Sequence, residues 1–150
     1  MLINIIDDQK KLKINKKLIE KQIKEILKAE KVKTDEVIVH FVDKKAIKKL
    51  HKQFFNDPSE TDCITLPIDK PTDKQTIYHI LGETFICTDV AYQNAKIYKT
   101  SVVYEITLYV IHTILHLIGY DDIKEKDVKV MREKEMYYLT LLKNKGIFTK

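Results

Sequence analysis

Hydrophobic residues recur along the chain with two spacings, one typical of amphipathic helices and one typical of half-buried strands. From Ile14 to Leu27 they return at helical spacing while lysines fill the opposite face, which predicts a helix. The same patterns predict further elements, with helices over 44–54, 89–98, 102–118 and 124–144, and strands over 2–7, 36–42, 61–67 and 80–87. Strands and helices are therefore interspersed along the chain.

Two aspartates stand where helices are predicted to begin. Asp43 is expected to cap the second helix, and Asp89 is expected to cap the third. The polar segment between the third and fourth strands is too short for a crossover helix, so a mixed sheet is expected rather than a doubly wound parallel one. The pattern predicts a single α+β domain over residues 1–150, with a small mixed four-stranded sheet packed with about five helices.

Composition places the chain among soluble globular proteins. Its 150 residues are 44% hydrophobic and 33% charged, with a formal net charge of +5. No apolar run is long enough to span a membrane, and the apolar start is followed at once by Asp7 and Asp8, which is unlike a signal peptide. Cys63 and Cys87 fall in apolar segments and are expected to be reduced. We therefore expect a cytoplasmic protein without membrane association.

Positive charge is concentrated in residues 1–50, which hold 14 lysines against 8 acidic residues, an excess of +6. Such an excess could attract a polyanion such as nucleic acid. It could equally be the solvated face of a lysine-rich helix. The lysines that a test of RNA contact would address are Lys16, Lys17, Lys21 and Lys24.

The strongest chemical signal is a pair of histidines in the predicted helix over 102–118. His112 and His116 are four residues apart, so both imidazoles lie on one helical face and can bind one ion. Gly119 can end this core helix, and the reversal after it could bring Asp122 back toward the histidines. Two nitrogens and one oxygen leave a position open for water, which is typical of a catalytic metal site. Packed or surface histidines without a metal are the alternative interpretation.

Thr113 bears on the reaction that such a metal site could support. In zinc peptidases with a helical histidine pair, the residue after the first histidine is a glutamate that acts as general base. Thr113 occupies that place here. A metal ion can still acidify a water molecule and polarise a phosphoryl oxygen without such a base. The site is therefore expected to suit hydrolysis of a phosphodiester better than hydrolysis of a peptide.

Three segments of the chain resemble motifs of one bacterial family. Residues 112–122 read HTILHLIGYDD, which is similar to a family motif of the form His-Gly-x-Leu-His-Leu-x-Gly-Tyr-Asp-His. Residues 61–67 resemble the family's Thr-Asp-Val-Leu-Ser-Phe-Pro strand, and residues 81–87 resemble its Leu-Gly-Asp-Ile-x-Ile segment. These matches occur in order and at compatible spacing within about residues 40–122. The chain therefore resembles the YbeY-type endoribonucleases, also called rRNA maturation factors.

The resemblance implies a single-strand-specific, metal-dependent endoribonuclease that acts in rRNA maturation and ribosome quality control. His112, His116 and Asp122 are then both the metal ligands and the catalytic residues, and a metal-bound water is expected to attack the RNA phosphodiester. The expected cofactor is one divalent metal ion, Zn²⁺ in particular. The expected partner is rRNA of the small ribosomal subunit, and ribosomal or GTPase assembly proteins are further candidates.

The chain departs from the family motifs at three positions. Asp122 stands where the family has a third histidine, and Thr113 stands where it has a glycine. Phe55 stands where the family has an arginine, and Arg132 is the only arginine in the chain. Phosphate charge would then have to be balanced by lysines, which lack the bidentate geometry of arginine.

Several further residues are weaker candidates. Glu105 and Asp121 could support the metal ligands, and Asp121 could alternatively coordinate in place of Asp122. His40, His51 and His79 are each expected to be structural or solvent-facing histidines, with RNA contact by His79 as the weaker alternative. Candidate RNA contacts are Lys52, Lys70, Lys74 and His79. Two other functions stay open, namely a metal-stabilised RNA- or ribosome-binding assembly factor with weak or no catalysis, and a minimal metallopeptidase.

Overall fold

The computed structural model of the chain describes residues 1–73 and 77–148. The strands are β1 (Leu2–Asp7), β2 (Glu36–Val42), β3 (Cys63–Pro67) and β4 (Ile80–Cys87). The helices are α1 (Lys16–Ala29), α2 (Lys44–Phe55), α3 (Thr88–Tyr98), α4 (Val102–Leu117) and α5 (Glu125–Asn144). The predicted α+β class and the predicted order of elements are confirmed.

The strands form one mixed sheet in the order β1-β2-β4-β3. β1, β2 and β4 run parallel, whereas β3 is antiparallel to its neighbour β4. Parallel neighbours need a crossover connection, and α1 and α2 lie within the crossovers that join β1 to β2 and β2 to β4. β3 and β4 follow one another with no helix between them among the described residues and pair antiparallel, so the prediction of a mixed sheet is confirmed.

The two faces of the sheet are covered unequally. One face packs against α1 and α4, on which α5 packs in turn, and forms the main core. β2 contributes Val37, Val39 and Phe41 to it at the alternation expected of a strand. On this face Gly82 allows α4 to approach, because a Cβ there would lie 2.3 Å from Leu117 Cδ2. The opposite face carries a smaller apolar cluster beneath α2. The C-terminal half of α4 is thereby fixed against β3 and β4.

Element boundaries differ from the predictions at a few positions. β3 begins at Cys63 rather than at residue 61. The first helix begins after Ile14, with Asn15 as its N-cap, and α4 ends at Leu117 rather than at Ile118. Shifts of one or two residues at the ends of elements are common, because the terminal turns depend on caps as well as on hydrophobic spacing.

Of the two aspartates predicted to cap helices, one does so and the other does not. Asp43 caps α2, since its Oδ1 accepts the backbone N–H of Ala46 at 2.8 Å. Asp89 does not cap α3, because β4 runs directly into α3 and Cys87 occupies the cap position. The carboxylate of Asp89 instead accepts the backbone N–H of Lys44 at 2.7 Å. It therefore satisfies an N-terminal amide of a different helix, α2.

No single helix in the described ranges combines the length and the hydropathy needed to cross a membrane. Only α3 and α4 taken together, which are bent by 117° relative to one another, meet the criteria of length and composition.

Candidate metal centre

The end of α4 and the turn that follows it bring His112, His116 and Asp122 together. Gly119 ends the helix with a φ of 108°, a conformation that glycine adopts without steric penalty. The N–H of Gly119 donates to the carbonyl of His116 at 3.1 Å, and the N–H of Tyr120 donates to the carbonyl of Leu115 at 3.0 Å. These two bonds form a Schellman motif, which reverses the chain after the last turn. The glycine stop inferred from the sequence is confirmed.

The donor atoms of the three side chains converge on a common point. Nε2 of His112 and Nε2 of His116 are 3.1 Å apart. Oδ2 of Asp122 lies 3.3 Å from the His116 nitrogen and 3.6 Å from the His112 nitrogen. A tetrahedral zinc ion with bonds of 2.0–2.1 Å separates its ligand atoms by about 3.3 Å. The three side chains therefore form a cluster that could hold a metal ion, and their spacing fits one.

Glu135 on α5 orients His112 from the side away from the cleft. Its Oε2 accepts a hydrogen bond from His112 Nδ1 at 2.7 Å, and its Oε1 accepts one from Arg132 at 3.0 Å. Because an ionised carboxylate only accepts, the proton of the imidazole lies on Nδ1 and the lone pair of Nε2 faces Asp122 and His116. Metal-binding histidines commonly have such a carboxylate partner. Sequence reasoning did not identify Glu135.

Charge and burial act in opposite directions on the pKa values of His112 and Glu135 in the metal-free site. Burial acts to lower the pKa of His112, but the hydrogen bond and charge of Glu135 outweigh it, and the net pKa is raised. Burial acts to raise the pKa of Glu135, which is only 2% exposed, yet His112 and Arg132 hold the net pKa below its ordinary value. The carboxylate is therefore ionised at neutral pH and available to orient the imidazole.

Of the two residues predicted to support the ligands, Glu105 lies away from them, whereas Asp121 bonds the backbone of one of them. Glu105 is buried, and its carboxylate accepts hydrogen bonds from Thr100 at 2.8 Å and from Tyr109 at 3.3 Å. These partners hold it near the start of α4, so the carboxylate that contacts His112 is Glu135 and not Glu105. Asp121 accepts the backbone N–H of Asp122 at 2.8 Å. It acts on the turn, while Asp122 is the aspartate that faces the histidines.

The three candidate ligands lie in the wall of an open cleft of about 440 Å³. Its other walls are formed by the C-terminal half of α2 and by β3 with the residue before it. Besides the ligands, the lining residues are His51, Phe55, Asp62, Cys63, Ile64, Thr65 and Pro67. His51, expected to be structural or solvent-facing, thus contributes to the cleft. Among the described residues that line it there is no lysine and no arginine.

The residues predicted to contact RNA are only partly suited to that role. His79 is 3% exposed, and both ring nitrogens are engaged, Nδ1 with Thr34 Oγ1 and Nε2 with the carbonyl of Lys70, each at 2.8 Å. It holds two loops together and is not free to bind RNA. Lys52 and Lys70 are exposed but do not line the cleft. Lys74 lies outside the described residues.

The lysine-rich helix α1 lies on the same face of the sheet as α4, toward the edge formed by β1. It packs against β1, which is the edge strand opposite β3, and its Lys24 forms an ion pair with Glu20 at 2.8 Å. The cleft is bounded by β3. None of the four lysines of α1 named above lines the cleft of the candidate metal centre.

The fold and the site define a small α+β protein with a candidate catalytic metal centre in an open cleft. A family model described as endoribonuclease YbeY matches residues 4–143. Endoribonuclease YbeY of Protochlamydia amoebophila is 39% identical over 150 residues, covering 100% of this chain and 99% of that protein. Endoribonuclease YbeY of Chlamydia trachomatis serovar D is 39% identical over 141 residues, covering 93% and 87%. This chain belongs to the endoribonuclease YbeY family.

A solved structure agrees with this assignment. The solution structure of TM1509 from Thermotoga maritima is similar with a TM-score of 0.65 and 31% sequence identity, covering 91% of this chain and 86% of that one. The resemblance inferred from residues 112–122 and from the upstream strands is thereby confirmed.

Proposed function

We propose that this protein is a single-strand-specific, metal-dependent endoribonuclease that acts in rRNA maturation and ribosome quality control. Membership of the endoribonuclease YbeY family supports hydrolysis of RNA. The observation that carries the proposal is the convergence of His112, His116 and Asp122 in the wall of an open cleft. An open cleft admits a strand of nucleic acid, and three ligands leave a coordination position free.

The residues of the chain hold and orient the reacting groups. When bound, a divalent ion supplies Lewis acidity, which polarises a phosphoryl oxygen and acidifies a water molecule. Glu135 fixes the tautomer of His112 through the 2.7 Å hydrogen bond, so that Nε2 stays available as a ligand. Asp122 adds one negative charge to the ligand set, and the Gly119 turn fixes its position. Asp62 adds further negative charge to the cleft.

Zinc is the metal that we propose for this site, with the protein acting in the cytoplasm on rRNA of the small ribosomal subunit. Two imidazole nitrogens and one carboxylate oxygen at tetrahedral spacing suit Zn²⁺. Cys63 and Cys87 are free thiols, which is compatible with a reducing compartment. Ribosomal or GTPase assembly proteins are proposed as further partners on the family resemblance.

The function can be tested on the purified chain of 150 residues. We expect it to contain about one equivalent of zinc and to cleave single-stranded regions of rRNA, with the cleavage abolished by a chelator and restored by the metal. His116→Ala should lose both metal and cleavage. His40→Ala is a matched control, because His40 pairs with Glu83 at 2.5 Å on the opposite face of the sheet. RNA cleavage that is unaffected by chelator would contradict the proposal.

A second candidate is an RNA-binding assembly factor with little catalysis. The absence of lysine and arginine from the described lining of the cleft favours it, because phosphoryl transfer usually needs such cations. Retained RNA binding without cleavage by the zinc-loaded protein would select this function. The metallopeptidase has less support, since Thr113 is buried and bonded to the carbonyl of Val110 at 3.0 Å. Casein as a parallel substrate would test it.

A further inference from the structure

An exposed aromatic ring stands at the wall of the metal cleft. Phe55 is the last residue of α2, and Asn56 ends the helix in a left-handed conformation with a φ of 54°. The ring is 55% exposed although it lines the cleft together with the metal-site residues. Single exposed apolar side chains are common on protein surfaces, so it is the position of this ring in the wall of the metal cleft that points to contact with a ligand.

His51 holds this ring in place. The two rings are packed edge-to-face, with centroids 5.6 Å apart and an interplanar angle of 61°. The imidazole is itself fixed, because Nδ1 donates to the carbonyl of Ser59 at 2.9 Å. A ring supported by a fixed neighbour loses little conformational freedom when a second flat group packs against it.

The chemistry of the cleft restricts what that group can be. Its described lining contains two acidic residues, Asp62 and Asp122, and no lysine or arginine. Apart from a bound metal ion, this wall therefore offers little that holds phosphate, and further affinity for a nucleic acid must come from another source. Stacking of an unpaired base on an aromatic side chain is sequence-tolerant and needs no charge.

We propose that Phe55 is a stacking platform for an unpaired nucleobase of the RNA substrate and that it gives the cleft its preference for single strands. The proposal rests on the function proposed above and deepens it, since it assigns substrate selection to a residue that holds no metal. A base within a duplex is already stacked on its neighbours and cannot use the platform without unpairing.

The test compares Phe55→Leu with Phe55→Trp and with Phe54→Leu in the zinc-loaded protein. Leucine keeps an apolar side chain but removes the ring, whereas tryptophan keeps a stacking surface. Phe54→Leu is the matched control, because Phe54 is a neighbouring exposed phenylalanine (46%) that does not line the cleft. The measured quantities are KM and kcat on an unpaired RNA, and the affinity for the same RNA in chelator, where it is not cleaved. A fluorescent base analogue in the RNA reports stacking directly by quenching.

We expect Phe55→Leu to raise KM and to weaken binding by about tenfold with little change in kcat, and to abolish the quenching. Phe55→Trp and Phe54→Leu should stay near wild type. The slope of log affinity against log salt concentration should be the same in all variants, because no phosphate contact is removed.

Two results would overturn the inference while leaving the proposed function intact. One is an unchanged KM and affinity in Phe55→Leu while the wild type cleaves RNA. The other is an equal loss in Phe55→Leu and Phe54→Leu, which would show a general effect of the exposed surface. A wild-type protein that does not cleave RNA at all would instead contradict the proposed function.

Discussion

Glu30 and Glu135 are two largely buried carboxylates that tie α5 to the rest of the molecule, and their partners differ in kind. Glu30 accepts hydrogen bonds from the hydroxyls of Tyr120 and Tyr138 and from Lys134 at 3.0 Å. Glu135 accepts one from the His112 imidazole and one from Arg132. A tyrosine hydroxyl ends its network, whereas an imidazole has a second nitrogen that faces the cleft.

This difference separates a structural role from a functional one. Glu30 fixes the turn after α4, because Tyr120 directly follows the glycine that reverses the chain. Glu135 fixes the orientation of a candidate metal ligand. A buried carboxylate with a functional role can therefore be distinguished from a structural one by its partner. The partner of the functional carboxylate has a second donor or acceptor atom that faces a cleft.

The largest expected effect comes from removing the two histidines separately. His112→Ala and His116→Ala should both lose the metal, and cleavage should fall by more than about 100-fold, beyond what loss of a supporting carboxylate causes. His112→Ala should also leave Glu135 buried without one of its two partners. The free energy of unfolding of His112→Ala should therefore fall by about 1–3 kcal/mol more than that of His116→Ala.

Elemental analysis gives the metal content, and urea unfolding in chelator gives the stability without a contribution from bound metal. Equal destabilisation of the two variants would mean that the contact between His112 and Glu135 contributes nothing to the fold.

A smaller effect is expected from replacing each carboxylate by its amide. Glu135→Gln should lower metal affinity by about 10–100-fold, because the neutral amide makes the imidazole a weaker ligand. Glu30→Gln should keep a metal affinity near that of the wild type. Competition with a metal-binding dye measures both, and a similar loss of affinity in the two variants would remove the distinction between the two networks.

The candidate ligands could be predicted from the sequence because local geometry determines them. The i,i+4 spacing places His112 and His116 on one face, and a glycine that ends the helix returns Asp122 within a few residues. Glu135 is 23 residues from His112 along the chain, and only the packing of α5 against α4 brings them together. One signal was present, because Glu135 is a charged residue on the buried side of α5, between Met131 and Tyr138.

Other differences between prediction and structure have the same origin. The strands and the mixed sheet follow from alternation and from the lengths of the connections, both of which are local. The roles of Asp89 and His79 depend on elements distant along the chain, since Asp89 bonds the first residue of α2 and His79 bonds Thr34. The cap predicted for Asp89 is therefore wrong, whereas His79 has the structural role expected of it and not the weaker alternative of an RNA contact.

The smallest expected effect concerns Glu30 and acid. Burial acts to raise the pKa of Glu30, but hydrogen bonds from Tyr120, Tyr138 and Lys134 lower it, and the net pKa lies below its ordinary value of 4.5. A carboxyl with a lowered pKa in the folded state stabilises the fold above about pH 4.5, and this contribution is lost as the pH falls through the folded-state pKa. Glu30→Gln should therefore be less stable than the wild type by about 1–3 kcal/mol at neutral pH, with a difference that narrows in acid.

Urea unfolding of the wild type and of Glu30→Gln in chelator, from neutral pH into acid, measures how far the difference in their free energies of unfolding narrows. Glu135→Gln serves as the comparison. In the wild type the Glu135 carboxylate also has a lowered pKa, but it bonds His112, an imidazole that titrates and whose own pKa is raised. A stability difference between wild type and Glu30→Gln that stays constant from neutral pH into acid would mean that the charge of the Glu30 carboxylate contributes nothing to the free energy of unfolding. Its packing and its hydrogen bonds with the tyrosine hydroxyls would then account for the whole difference.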